Sequence, residues 1–201
     1  VTDRAARPRR ADARANRERI VAAATRLFLE RGIEVSLETV AEEAGLGSAT
    51  LHRHFSGRLD LAEVVLQGQA DQLVARADEL HATHLPAAAL ATWLREVIAF
   101  SNSFRGLAVL LAGTNADASA STRHTALSAA GQMLLSAAQH SAVARTTIEI
   151  SDLLKLVNGI AVASSSSGPV AERLLDLALH GVLLTPNHAS AQPQAPRGSA
   201  L

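Results

Sequence analysis

The chain has 201 residues, 48% of them hydrophobic but only 2% aromatic, and its 19 Lys plus Arg balance 19 Asp plus Glu. Its core must therefore be built from Leu, Val, Ile and Ala, and because Ala and Leu are strong helix formers an all-α fold of one large or two small domains is expected. The absence of cysteine excludes disulfides, thiolate metal sites and cysteine nucleophiles; no apolar run reaches the ~18 residues of a membrane span, and no apolar stretch of a secretion signal opens the chain, so a cytoplasmic protein is expected.

The zero net charge hides an asymmetry. Residues 1–58 hold 11 Arg against 8 acids, the remainder holds 8 basic against 11 acidic residues, and the first 19 residues alone carry 7 Arg against 3 acids. A basic end on a neutral chain fits a polyanionic partner, and it equally fits a solvated arm without one.

In chain order, residues 1–15 are rich in Arg and Ala, contain Pro8, show little apolar periodicity, and read as a flexible basic arm. A helical pattern starts at Asn16, with Ile20, Ala24, Leu27 and Phe28 on one face, and Gly32 stops it. Ser36 suits the N-cap of a short helix from Leu37 to Ala44 that Gly45 ends, and a second short helix follows to Phe55. After Ser56 and Gly57 a further helix starts near Arg58, and Gly68 marks a change of character. Long Ala/Leu-rich helical patterns then cover 69–84, 86–104, 105–112, 120–141, 151–166 and 169–184, with Pro86 and Pro169 in first turns, where a missing N–H costs nothing. The sequence thus divides into the arm, a helix-turn-helix domain at 16–66, a larger helical domain at 67–185 and a Pro-rich tail at 186–201 that reads as disordered. Thr146–Ile150 is the nearest approach to a strand and is too short to support a sheet.

The informative segment is Ser36–Leu61, SLETVAEEAGLGSATLHRHFSGRLDL. Ala41 is small enough for two helices to cross closely, Gly45 can take the positive φ of a tight turn, and Leu46 can plug the angle between the helices. Val40, Ala44, Leu51 and Phe55 can pack on Ile20, Leu27 and Phe28, which leaves Ser48, Ala49, Thr50 and Arg53 facing outward. A short exposed helix with small polar residues and an arginine suits a DNA major groove. The other reading, a helical hairpin in a core, would bury His52, Arg53 and His54 together at a high cost.

The run AxxAGLxxxTLxxHF, from Ala41 to Phe55, together with Phe28, Gly32, Ser36 and Leu61, resembles the TetR family of bacterial one-component regulators. The resemblance covers residues 20–61. It implies that Ser48–Phe55 is a recognition helix, with Ser48, Ala49, Thr50 and Arg53 toward base edges and Ser36, His54 and Arg58 toward phosphates. Three positions depart from the family's habit. His52 stands where a tyrosine that reaches the DNA backbone is usual, and its charge depends on pH. Gly47 stands where a capping serine is usual, and Arg58 replaces a usual lysine.

The resemblance also implies a divergent helical second domain holding a small-molecule pocket and a dimer interface. The segments SNSFRGLAVLLAG at 101–113 and EISDLLKLVNGIAVAS at 149–164 are similar to the SbtR-type subgroup. Candidate pocket residues are Trp93, Val97, Phe100, Phe104, Leu107, Leu111, Met133, Leu134 and Asn158, since bulky groups among Ala and Leu can line a cavity; they equally can fill a core. Arg105 and Asn158 are polar groups in apolar runs. Leu153, Leu156, Val157, Ile160, Leu174, Leu175, Leu179, Val182 and Leu183 exceed what one buried stripe needs and suggest a bundle across a two-fold axis.

The expected protein is a homodimer that binds double-stranded DNA at a palindromic operator and is released by a small apolar or amphipathic effector, without a cofactor, a metal or a membrane. The chain shows no nucleophile elbow at Ser164–Ser167 and no carboxylate dyad at Glu42–Glu43 or Asp78–Glu79, so no enzyme is expected. His81 and His84 share a helix face, which reads as a solvated surface and also has metal-binding spacing. Control by a protein partner, a helical enzyme or carrier, and a nonspecific architectural DNA binder are the alternatives.

Overall fold

The computed structural model describes residues 6–106, 108, 117–164 and 168–184. The described residues form eight helices, named here in chain order: α1 (Ala6–Arg31), α2 (Leu37–Glu43), α3 (Ser48–His54), α4 (Arg58–Thr83), α5 (Pro86–Ser103), α6 (Asp117–His140), α7 (Ile150–Ala163) and α8 (Gly168–Val182). Residues 1–5, Leu107, residues 109–116, which include Leu111, residues 165–167 and the expected tail at 186–201 lie outside the description.

Two apolar cores organise the helices. The first gathers Ile20, Ala24, Leu27 and Phe28 of α1, Val40 and Ala41 of α2, Leu51 of α3, Phe55, and Leu61, Ala62, Val65 and Leu66 of α4. The second gathers Leu73, Ala77 and Leu80 of α4 with the inner faces of α5, α6, α7 and α8 around Trp93. Phe100 packs against both cores, and its ring lies 5.5 Å from that of Phe104. The apolar stripes of α7 and α8 explain this arrangement. Leu153, Val157, Ile160 and Ala161 recur at three- and four-residue intervals on α7, as Ala171, Leu175, Leu179 and Val182 do on α8, and all eight are buried.

Three elements differ from the sequence expectation. The first helix begins at Ala6, so residues 6–15, expected as a flexible arm, are helical. Pro8 is its third residue, where the missing N–H belongs to a group with no intrahelical partner in any case. Gly68 does not break the chain either: the expected runs at 58–66 and 69–84 are one helix, α4. Glycine inside a helix costs only about 1 kcal/mol relative to alanine, which the packing of α4 into both cores outweighs. The helix expected from residue 120 already begins at Asp117. Residues 105, 106 and 108 are helical, in keeping with the short helix expected at 105–112.

A one-residue bridge joins Ala144 to Leu183. Arg145 secures this end of α8 by donating its backbone N–H to Val182 O at 3.0 Å and its side-chain Nε–H to Gly181 O at 2.8 Å. Among the described residues no helix is long and apolar enough to cross a membrane.

Candidate DNA-binding face and effector cavity

The reading head is assembled by its caps and turns. Ser36 Oγ accepts the Thr39 N–H at 3.1 Å and starts α2. At the other end Gly45 adopts φ +64°, its N–H reaches Glu42 O at 2.9 Å, and the Leu46 N–H reaches Ala41 O at 2.9 Å. This pair of bonds, closed by a left-handed residue, satisfies carbonyls that the helix end leaves open. Arg19 Nη2 donates to Gly45 O at 3.3 Å, and Arg17 places its guanidinium 4.7 Å from the centre of the Phe55 ring. Arg26 pairs with Glu43. Helix α1 therefore grips the turn and both short helices through side chains as well as through the core.

Helix α3 buries Leu51, and Phe55 follows it into the core. Ala49, His52 and Arg53 are exposed, while Ser48, Thr50 and His54 are half-buried. Arg53 has no ion pair among the described residues, so its guanidinium faces solvent uncommitted to a carboxylate. Seven residues span about 10 Å, which fits within the ~12 Å width of a major groove.

Arg58 is more constrained than a free phosphate ligand. Its Nη1 donates to Ile33 O at 2.6 Å and lies 3.3 Å from a Glu34 carboxylate oxygen, which ties the start of α4 to the loop before α2. The remaining N–H groups of its five-donor fork stay available. Glu38 is held below the usual carboxylate range by a backbone hydrogen bond first and by Ser36 second, with His52 and Arg58 adding smaller favourable fields.

Beside the junction of the two cores lies a cavity of about 470 Å³. Leu66 of α4, Phe100 and Phe104, Leu127 of α6 and Val162 of α7 supply its apolar wall, and Arg105, Arg123, His124 and Asn158 its polar one. Of the residues expected to line a pocket, Phe100, Phe104 and Asn158 do so. Trp93, Val97 and Leu134 are buried in the second core, and Met133 is half-buried against it. Trp93 has a structural hydrogen bond there, from Nε1 to Leu73 O at 2.9 Å. Gly131 explains how the indole fits: a Cβ on it would lie 2.8 Å from Trp93 Cζ3 and 2.6 Å from Ile150 Cδ1. A larger, shallower groove of about 830 Å³ runs between α1 and α4, past Val21, Leu29 and Gln69. The smaller cavity has a buried charge in its wall.

That charge is Arg123, whose side chain is 9% exposed and pairs with Glu63 of α4. The other carboxylate oxygen, Glu63 Oε2, is buried with no hydrogen-bond partner among the described residues, a condition that is unfavourable for a charged group. Sequence reasoning missed this pair. The available signal was isolation: Arg123 is the only Asp, Glu, Lys or Arg between residues 118 and 144. Arg105 is half-buried and satisfied by neutral acceptors, Asn102 Oδ1 at 3.0 Å and Ala161 O at 2.6 Å. His81 and His84 stand exposed at the end of α4, where His84 Nδ1 lies 2.8 Å from Thr83 Oγ1.

Residues 20–65 match the family of bacterial regulatory proteins of tetR type, and residues 85–184 match the C-terminal domain of SbtR-like transcriptional regulators. A TetR transcriptional regulator from Streptomyces coelicolor shares 34% identity and superposes with a TM-score of 0.71 over 85% of this chain and 99% of that one. This chain belongs to the TetR family. A TetR transcription regulatory protein from Mycobacterium vanbaalenii is 26% identical, with a TM-score of 0.71 over 87% of this chain and 99% of that chain. An HTH-type transcriptional regulator of Staphylococcus aureus strain USA300 is 44% identical over 63 residues, 31% of this chain and 34% of the relative. That match spans about a third of the curated relative's length. As in other TetR proteins, α2 and α3 form a DNA-binding helix-turn-helix on an all-helical body.

Proposed function

We propose that this TetR protein is a homodimeric repressor that reads a palindromic operator in the cytoplasm and leaves it when a small amphipathic effector fills the cavity beside α4. The observation that supports this reading best is the continuity of α4. One unbroken helix has Leu61, Ala62 and Val65 in the core of the reading head and Leu66 in the cavity wall. A ligand that prefers one setting of that helix biases the head by its differential affinity, and a coupling of about 1–3 kcal/mol changes operator affinity about 5- to 150-fold.

Within this reading Ser48, Ala49, Thr50 and Arg53 contact base edges, and Ser36, His52, His54 and Arg58 contact phosphates. Phe100, Phe104 and Asn158 contact the effector. Two copies are needed, since one short helix covers only a few base pairs and two spaced by about 34 Å read both half-sites. The outward faces of α7 and α8 offer a surface for the second copy: Leu156 and Leu177 are exposed.

Genomic footprinting supplies the operator, and fluorescence anisotropy then compares it with scrambled DNA at fixed salt, beside sedimentation of the free protein. The expected result is a dimer with at least about a thousandfold preference for the footprinted site, within the range of specific regulators. Equal affinity for every sequence would replace the proposal with an architectural DNA binder, and a monomer on the operator would remove the two-fold reading.

A further inference from the structure

Two guanidinium groups border the cavity, and the Glu63 carboxylate meets one of them, Arg123. Among the described residues Arg105 donates to neutral oxygens, of Asn102 and Ala161. Arg123 is paired with Glu63, which engages it through one oxygen while Oε2 stays buried with no hydrogen-bond partner among the described residues. An arginine fork is best satisfied by a carboxylate that offers both oxygens, so the resident pair leaves Arg123 underused and Glu63 undersatisfied. Among the described residues the lining holds Arg105, Arg123 and His124 but no carboxylate, beside an apolar wall of Leu66, Phe104, Leu127 and Val162, and a cation among apolar groups favours an incoming anion.

We propose that the effector is an amphipathic carboxylic acid whose carboxylate displaces Glu63 from Arg123, so that ligand capture and release of α4 are one event. The inference rests on reading this cavity as the effector site. The apolar body of the acid lies against Leu66, Phe104 and Leu127, and its carboxylate completes the Arg123 fork. Glu63 lies three residues before Leu66 on α4, so both share the face turned to the cavity, while Leu61, Ala62 and Val65 of the same stretch hold the reading head. The Glu63–Arg123 pair thus clasps the head-bearing part of α4 to α6. An acid that takes over Arg123 opens the clasp, and the freed Glu63 carboxylate turns to water. A neutral ligand of the same shape fills the space without opening it.

Isothermal titration calorimetry on the intact protein tests this with phenylacetate, 4-phenylbutyrate and octanoate, each beside its primary amide. At least one acid is expected to bind, with its amide at least about tenfold weaker. Glu63→Gln removes the resident competitor and should tighten the acid about tenfold, whereas Arg123→Gln should weaken it by a similar factor or more. Circular dichroism checks that both variants fold, and if Arg123→Gln does not, the sign of the Glu63→Gln effect still decides. A merely structural ion pair would weaken binding in both variants. Three results each overturn the proposal: acids and amides binding alike, Glu63→Gln leaving acid affinity unchanged or lower, or no acid binding to either wild type or Glu63→Gln. Operator affinity measured with the same acids keeps the two levels apart. Acids that bind in the expected pattern without moving operator affinity would remove the ligand-switched repressor and leave the ligand class standing.

Discussion

Replacing Gly45 with alanine probes the hinge on which the reading head depends. Two costs are legible in the geometry. Gly45 sits at φ +64°, in the left-handed region where a side chain costs about 1–2 kcal/mol. An added Cβ would also lie 2.7 Å from Arg19 Nη2, which forces the guanidinium away and weakens its bond to Gly45 O. A net hydrogen bond contributes about 0.5–1.5 kcal/mol, and the exposure of Arg19 places this one at the low end. The sum is about 1.5–2.5 kcal/mol, which in a chain of this size lowers Tm by about 3–10 °C. Urea unfolding of wild type, Gly45→Ala, Arg19→Ala and the double variant separates the terms. In the Arg19→Ala background the clash is gone, and Gly45→Ala should cost only the backbone strain of about 1–2 kcal/mol. A cost below about 0.5 kcal/mol in the wild-type background would refute the strained-turn reasoning. An undiminished cost in the Arg19→Ala background would refute the clash alone.

Arg53→Ala should relax base preference at particular operator positions, whereas Arg58→Ala should weaken all DNA sequences alike and lower the salt dependence by about one unit. Because Arg58 also holds Ile33 O and Glu34, its loss should lower Tm as well; anisotropy titrations across salt and operator variants, with thermal melts, distinguish the two, and identical behaviour would refute the division of roles. Gly131→Ala, despite its better helix propensity, should destabilise by about 1–3 kcal/mol through overpacking against Trp93, read by urea unfolding, and a stabilised variant would mean that the indole moves aside freely. Glu38 has a depressed folded value, so its contribution is present at neutral pH and is lost as pH falls through and below the usual carboxylate range. The protection factors of the Thr39 and Val40 amides, with intrinsic exchange divided out, should therefore fall on acidification in wild type and lose that dependence in Glu38→Gln; an unchanged pH profile in the variant would refute the assignment.

The legible parts of the fold are those written in local code. Ser36 as a cap, Gly32 and Gly45 as left-handed stops, and the apolar spacing of Ile20, Ala24, Leu27 and Phe28 each state their structure within a few residues, because helix ends and amphipathic faces are set by near neighbours. The ends of α1 and α4 were harder to read, for a local signal there yields to other stabilisation. Gly68 weakens a helix by an amount that two flanking cores easily exceed, and Pro8 stops nothing within a first turn. Among the expected pocket residues, Phe100, Phe104 and Asn158 reach the cavity, while Trp93, Val97 and Leu134 lie in the core, since bulk alone does not distinguish a wall from an interior.

From its own amino acids the chain dictates an all-helical body, the turn at Gly45-Leu46-Gly47 and an outward-facing Arg53, since each follows from backbone preference and the side-chain period along a helix. Only the tertiary structure decides that Glu63 meets Arg123, that Arg58 anchors a loop, and that α4 runs unbroken from the reading head to the cavity. Those pairings join residues 24 to 60 positions apart, and a contact between distant segments depends on how whole helices pack, which no short window of sequence encodes.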